Sequence, residues 1–167
     1  MELVVELMDG LIRMLIIFFS LLFIFTIGPM WLYTTGSVRM GDHWMTASRE
    51  PAGIAPDPKQ EKAALIQVYA ARAFNWRGLF AVHTWIALKP KDADDFTVYH
   101  LVGWNRHYQL PLIDVSHGPP DRLWYNHKPK IILTVKGKEA AKLIPEIQQA
   151  IKHYPYPNTY HVWPGPN

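Results

Sequence analysis

Leu79-Phe80-Ala81-Val82-His83-Thr84-Trp85-Ile86-Ala87-Leu88 and Phe96-Thr97-Val98-Tyr99-His100-Leu101-Val102-Gly103-Trp104 decide the fold. Both runs are rich in β-branched and aromatic residues, and the polar stretch from Lys89 to Asp95 separates them. They read as two antiparallel strands of a hairpin. If its turn centres between Asp92 and Ala93, Trp85 faces His100, His83 faces Val102 and Ala81 faces Trp104. One face then carries two histidines and two tryptophans. The more apolar alternate set, Phe80, Val82, Thr84, Ile86 and Leu88, is expected to line the core. A one-residue slip would move His100 and Trp104 to the other face.

Working outward toward the N-terminus, Asp57, Pro58 and Gln60 have the spacing of a helix start, and Leu65, Val68, Tyr69 and Arg72 fall on one helical face. A helix docked on the sheet is expected there. Gly41, Pro51, Gly53, Pro56 and Pro58 make residues 38–58 a linker, packed along the domain or spacing it from what precedes. Before the linker there is no charge between Arg13 and Arg39, and the run includes Leu15-Ile16-Ile17-Phe18-Phe19 and Leu21-Leu22-Phe23-Ile24-Phe25. Crossing a bilayer core of about 30 Å takes roughly 20 apolar residues in a helix. Residues 1–37 therefore read as a retained membrane anchor, with lipid contact over residues 11–33 and Trp31 and Tyr33 in the interfacial belt. A cleavable signal peptide fits less well, because Glu2, Glu6 and Asp9 replace the basic leading region and the apolar run is too long. Arg13 on one side and Arg39 and Arg49 on the other leave orientation open.

Toward the C-terminus, prolines at 111, 119 and 120 with Gly118 limit the chain to short strands, near residues 112–115 and 122–125. Ile131-Ile132-Leu133-Thr134-Val135 reads as a strand, although Pro129 also suits a helix start. Leu143, Ile144, Ile147, Ala150, Ile151 and Tyr154 mark a helix from Lys138 to Tyr154, in which Pro145 either makes a kink or starts a second piece. Tyr160-His161-Val162-Trp163 reads as a last strand. The fold class is α+β: one N-terminal transmembrane helix, then a single small domain over residues 59–167 with a mainly antiparallel sheet and two main helices.

Composition excludes several function classes. With no cysteine among 167 residues, disulfides, thiolate nucleophiles and sulfur-ligated metals are ruled out. The net charge of +3 comes from bases interleaved with acids, and no nucleic-acid-binding motif accompanies them. Neither a metal site nor a cofactor is expected, since the eight histidines include no H-x-x-x-H or H-E-x-x-H pattern. Asp92, Asp94 and Asp95 lack the glycine and terminal glutamate of a calcium loop and read as a solvated turn. Lys128, Lys130, Lys136, Lys138 and Lys142 read as ordinary surface lysines rather than a phosphate-binding patch. Asp114, Ser116 and His117 contain the residue types of a hydrolase triad, but in an extended chain His117 points away from the other two.

Tyr69-Ala70-Ala71-Arg72, Trp76-Arg77-Gly78, Phe80-Ala81-Val82-His83-Thr84-Trp85-Ile86, Val102-Gly103-Trp104, Pro120-Asp121-Arg122-Leu123-Trp124, Tyr154-Pro155-Tyr156 and Val162-Trp163-Pro164-Gly165-Pro166-Asn167 together resemble the bacterial domain-of-unknown-function 3750 family. The resemblance covers residues 68–167. It implies an envelope protein with an N-terminal hydrophobic segment, single-pass in the inner membrane with a periplasmic domain, and it brings no activity with it. In the family pattern, Pro-Gly-Pro-Asn continues into Ser-Asn-Thr-Phe, so a shortened member or a truncated sequence is expected here.

Two functions follow as expectations. The first is a non-catalytic binding or structural module whose aromatic surface takes a cell-wall, lipid or protein partner, with Trp76, Trp85, Trp104, Trp124 and Trp163 as candidates. Its site is expected at His83, Trp85, His100 and Trp104, with Arg77 at the rim. The second is a degenerate relative of NlpC-type papain-like hydrolases in which His83 survives as the base.

Overall fold

The computed structural model describes residues 2–161. It opens with α1, Glu2–Thr34, a single helix exposed along nearly its whole length. Among the described residues it is the one helix long and apolar enough to cross a membrane, over Val4–Thr34. Exposure of so many leucine, isoleucine and phenylalanine side chains is what a helix solvated by lipid requires. Pro29 sits inside it.

Among the described residues the domain has five strands, β1 (Leu65–Arg72), β2 (Val82–Lys89), β3 (Thr97–Leu101), β4 (Ile113–His117) and β5 (Lys130–Lys136). They lie in the order β4-β3-β2-β1-β5, and every pair is antiparallel. The α+β class and antiparallel sheet agree with expectation. So does the hairpin register where the two strands pair, with Trp85 opposite His100 and Ile86 opposite Tyr99. But β3 ends at Leu101, so the expected pairings of His83 with Val102 and Ala81 with Trp104 are not formed, and Trp104 lies in a 3-10 helix. One helix of the domain, α2 (Lys138–Lys152), follows β5 directly and continues through Pro145.

Two local expectations of secondary structure are corrected. The segment expected as a helix, Leu65–Arg72, is β1, flanked by β2 and β5. The helix-start signal there is real but ends after one turn: Asp57 caps Lys59, and Gln60 and Glu61 donate to the Asp57 carbonyl. Ile66, Val68 and Tyr69 suit a strand, and pairing on both sides outweighs a weak local helix preference. At Pro129, which left both readings open, the strand reading holds: it precedes β5 and not a helix. The other correction lies at residues 160 and 161, which are in no strand; Val162 and Trp163 lie outside the described residues.

Each sheet face has its own core. Ile66 and Leu88 project to one face, where Ala140 and Ile144 of α2 cover them together with Ile86, Tyr99 and Val135. Leu65, Tyr69, Ala71, Trp85, Ala87 and Val98 project to the other. Among the described residues no helix covers this second face. Residues 38–58 and the loop after β4 do, with Ile54 and Trp124 packed on the core. The expectation that Phe80, Val82 and Thr84 line the core is therefore overturned: Ile86 and Leu88 are covered, whereas Phe80, Val82 and Thr84 are exposed because α2 does not reach that end of β2.

Residues 38–58 are bound along their length. Pro51 bridges to Arg122, the Ala52 amide donates to the Asp121 carbonyl, and the Leu123 amide donates to the Glu50 carbonyl. The buried Asp121 carboxylate accepts from the amides of Ile54 at 2.6 Å and Ala55 at 3.1 Å. Nearer α1, the Arg39 amide donates to His127 Nε2, and Val38 rests against Gly78.

Candidate functional site

Between the uncovered end of this second face and the loop after β4 lies an open cavity of about 240 Å³. Its floor is β2 and β3, through Trp85, Val98 and His100. Asp114 and Ser116 of β4 supply one wall because alternate residues of a strand share a face. Trp104 and Asn105 reach it from the short 3-10 helix Gly103–Tyr108, and Asn105 is fixed by donating to the Pro111 carbonyl at 2.9 Å. Arg49, Arg122, Trp124 and Tyr125 complete the rim.

The aromatic rings form one stack. His83 lies 3.6 Å from Trp124, centroid to centroid, and nearly parallel to it; Trp124 in turn stacks on Trp104 at 5.6 Å. Trp85 stacks on Tyr69 at 5.6 Å and on His100 at 5.5 Å, and its indole N–H donates to the Pro120 carbonyl at 2.7 Å. A hydrogen bond of 3.0 Å joins His83 Nε2 to His100 Nδ1. Burial, and after it the neighbouring His100, lowers the His83 ring to about 3. Burial also lowers His100 to about 4, against the opposing pull of Asp114. Both imidazoles are therefore neutral at pH 7, one donating to the other.

Trp124 is held by a tight turn. Trp124 and His127 pair, and Tyr125 and Asn126 between them both have positive φ, 48° and 72°. That is the backbone of a type I′ turn, in which asparagine is at home and tyrosine is strained. Partners hold the strain in place. Tyr125 packs on Phe74 and under the Arg49 guanidinium, 4.1 Å above its ring. Asn126 accepts from the Ser48 amide and donates to Asp42, both at 2.7 Å.

Of the residues expected at the site, Trp85, His100 and Trp104 line the cavity. His83 belongs to the same stack but lies behind Trp124 and is not a lining residue. Arg77 is elsewhere, 5.1 Å over the ring of Trp76. Trp124, one of the five tryptophans singled out, is central. Arg49, Arg122, Asp114, Ser116 and Tyr125 carried no readable signal as binding residues, because the fold brings them together from residues 38–58, β4 and the loop after it. Asp114 and Ser116 do share a side, while His117 sits beside Thr97 at 3.4 Å. Among the described residues, no group of three or more His, Asp or Glu is placed to hold a metal ion.

A family model described as a protein of unknown function, DUF3750, matches residues 63–167. No curated protein and no solved structure matches the chain.

Proposed function

The chain belongs to the DUF3750 family, and from the geometry of its cavity we propose a membrane-tethered binding module of the bacterial envelope, its domain in the periplasm, that captures an acidic, ring-bearing ligand of the cell-wall saccharide class. The observation that carries this reading is the pairing of indole faces with guanidinium groups. Trp104, 43% exposed, offers flat apolar surface beside the cavity with Trp124 stacked on it, and Arg49 and Arg122 stand on its rim. Among the described residues neither arginine forms an ion pair with a carboxylate. Indole faces take the apolar face of a sugar ring, and a guanidinium fork takes a carboxylate. Asp114, Ser116 and Asn105 add hydrogen-bonding groups for hydroxyls.

The hydrolase reading has less support. His83 does not border the cavity, and with its ring lowered to about 3 it is a poor base near neutrality. Calorimetric titration of the full chain in detergent with muropeptide fragments containing N-acetylmuramic acid tests the proposal. Saturable binding is expected, with a loss of tenfold or more, about 1.4 kcal/mol, in both Trp104→Ala and Arg122→Ala. Absence of binding, or binding unchanged in both variants, would overturn it.

A further inference from the structure

The short 3-10 helix Asn75–Leu79 between β1 and β2 leaves large apolar side chains in the open: Trp76 is 54% exposed, Phe80 69% and Val82 52%. Trp76 and Phe80 belong to one tight turn, since the amides of Phe80 and Ala81 both donate to the Arg77 carbonyl, and Val82 opens β2 directly after it. Arg77 lies over the Trp76 ring and is itself exposed. This is an interfacial composition: amphipathic rings, an aliphatic neighbour and a cation.

The turn also sits where the membrane helix emerges. α1 and the 3-10 helix are in direct contact. Gly78 at the centre of the turn is buried against the chain leaving α1: a Cβ there would lie 3.1 Å from Val38 Cγ1 and 2.5 Å from the Ala73 carbonyl oxygen. Val38 is only four residues beyond Thr34, the last residue of α1, and four residues reach at most about 14 Å. Trp31 and Tyr33 are exposed near the end of α1. The exposed turn thus sits beside the end of α1.

We propose that the turn bearing Trp76, Arg77 and Phe80, with Val82 beside it, is a second membrane contact that seats the domain on the anionic phospholipid surface from which α1 emerges. This rests on α1 spanning the bilayer. Arg77 supplies attraction to phosphate, and Trp76 and Phe80 supply burial at headgroup depth. Val38 packed on Gly78 holds the turn at the exit of the helix, so the cavity is carried at a fixed height and tilt above the lipid.

Because the chain has no cysteine, single spin labels can be placed at Phe80→Cys, Val115→Cys and Phe23→Cys in the full chain, reconstituted in phosphatidylcholine–phosphatidylglycerol vesicles. Collision with oxygen and with a water-soluble nickel chelate reads depth. The label at 80 is expected at the headgroup–acyl boundary, about 5–10 Å deep, with the label at 115 in water and the label at 23 in hydrocarbon. Arg77→Glu should move the label at 80 toward water, and Val82→Cys repeats the reading at a second position. Labels at both 80 and 82 as aqueous as the label at 115, with 23 in hydrocarbon, would overturn the seating and leave the anchor standing. An aqueous label at 23 would overturn both. Dipolar broadening between labels at 80 on neighbouring chains would assign the patch to a second copy and overturn the lipid contact.

Discussion

His83 and His100 share a hydrogen bond inside an aromatic stack, and that placement gives them a measurable titration signature. In an unfolded chain a histidine titrates near 6.5, whereas here the two rings are lowered to about 3 and about 4. Below pH 6.5 the unfolded state therefore takes up more protons, and stability falls with pH until the folded rings themselves protonate. Above pH 7 both rings are neutral in either state, and they contribute no slope. The urea midpoint of the full chain in detergent, followed by circular dichroism, is expected to drop between about pH 6.5 and 5, before carboxylates titrate appreciably. The drop should shrink in His83→Phe. A flat midpoint over that interval would mean that the rings are solvated. The alternation of Trp85 and His100 made this pair legible from sequence, because register follows from strand period and turn position. Trp124, which covers His83, was legible only as a residue type, since its position depends on a strained turn tied to Ser48 and Asp42.

At the scale of elements, the least regular segment carries much of the structure. Residues 38–58 lack helix and strand, yet they close a sheet face that would otherwise be wet, and Asp121 is their main fastener through the amides of Ile54 and Ala55. Asp121→Ala leaves both amides without their acceptor and is expected to cost about 3 kcal/mol. It should also make residues 38–58 cleavable by a protease that leaves the wild type intact. Stability within about 0.5 kcal/mol of wild type would show that the segment is held by packing alone. Proline and glycine spacing correctly predicts an irregular segment there, but docking depends on a carboxylate more than sixty residues away. The misreading of β1 has a related cause. Leu65, Val68, Tyr69 and Arg72 suit a helical period, while Leu65, Gln67, Tyr69 and Ala71 suit a strand period, and only the neighbours β2 and β5 decide between them. By contrast α2, with a single strong period and one sheet face to cover, was legible almost to its ends.

For the whole molecule, tethering sets where the cavity works. The full chain is expected to stay in the pellet after alkaline carbonate washing, and release to the supernatant would refute a spanning α1. An alkaline phosphatase fusion after Asp57 should be active in a bacterial host; an inactive phosphatase with a fluorescent cytoplasmic reporter at the same point would place the domain on the other side. The sheet topology also bears on the order of assembly. β1 to β4 are consecutive neighbours, but β5 must return to β1, pairing Leu65 with Lys136 and Ile66 with Val135. As synthesis proceeds, the β1–β4 meander is therefore complete before its last partner exists, and one flank of β1 stays unpaired in the meantime. Loop-closure entropy delays such distant pairings. Pulsed hydrogen exchange during refolding should protect the Ile86 amide before that of Val135, and simultaneous protection would mean that the sheet closes as one unit. Until the return strand docks, the nascent chain carries an unpaired hydrogen-bonding edge, which makes the interval before residue 136 emerges its most aggregation-prone stage.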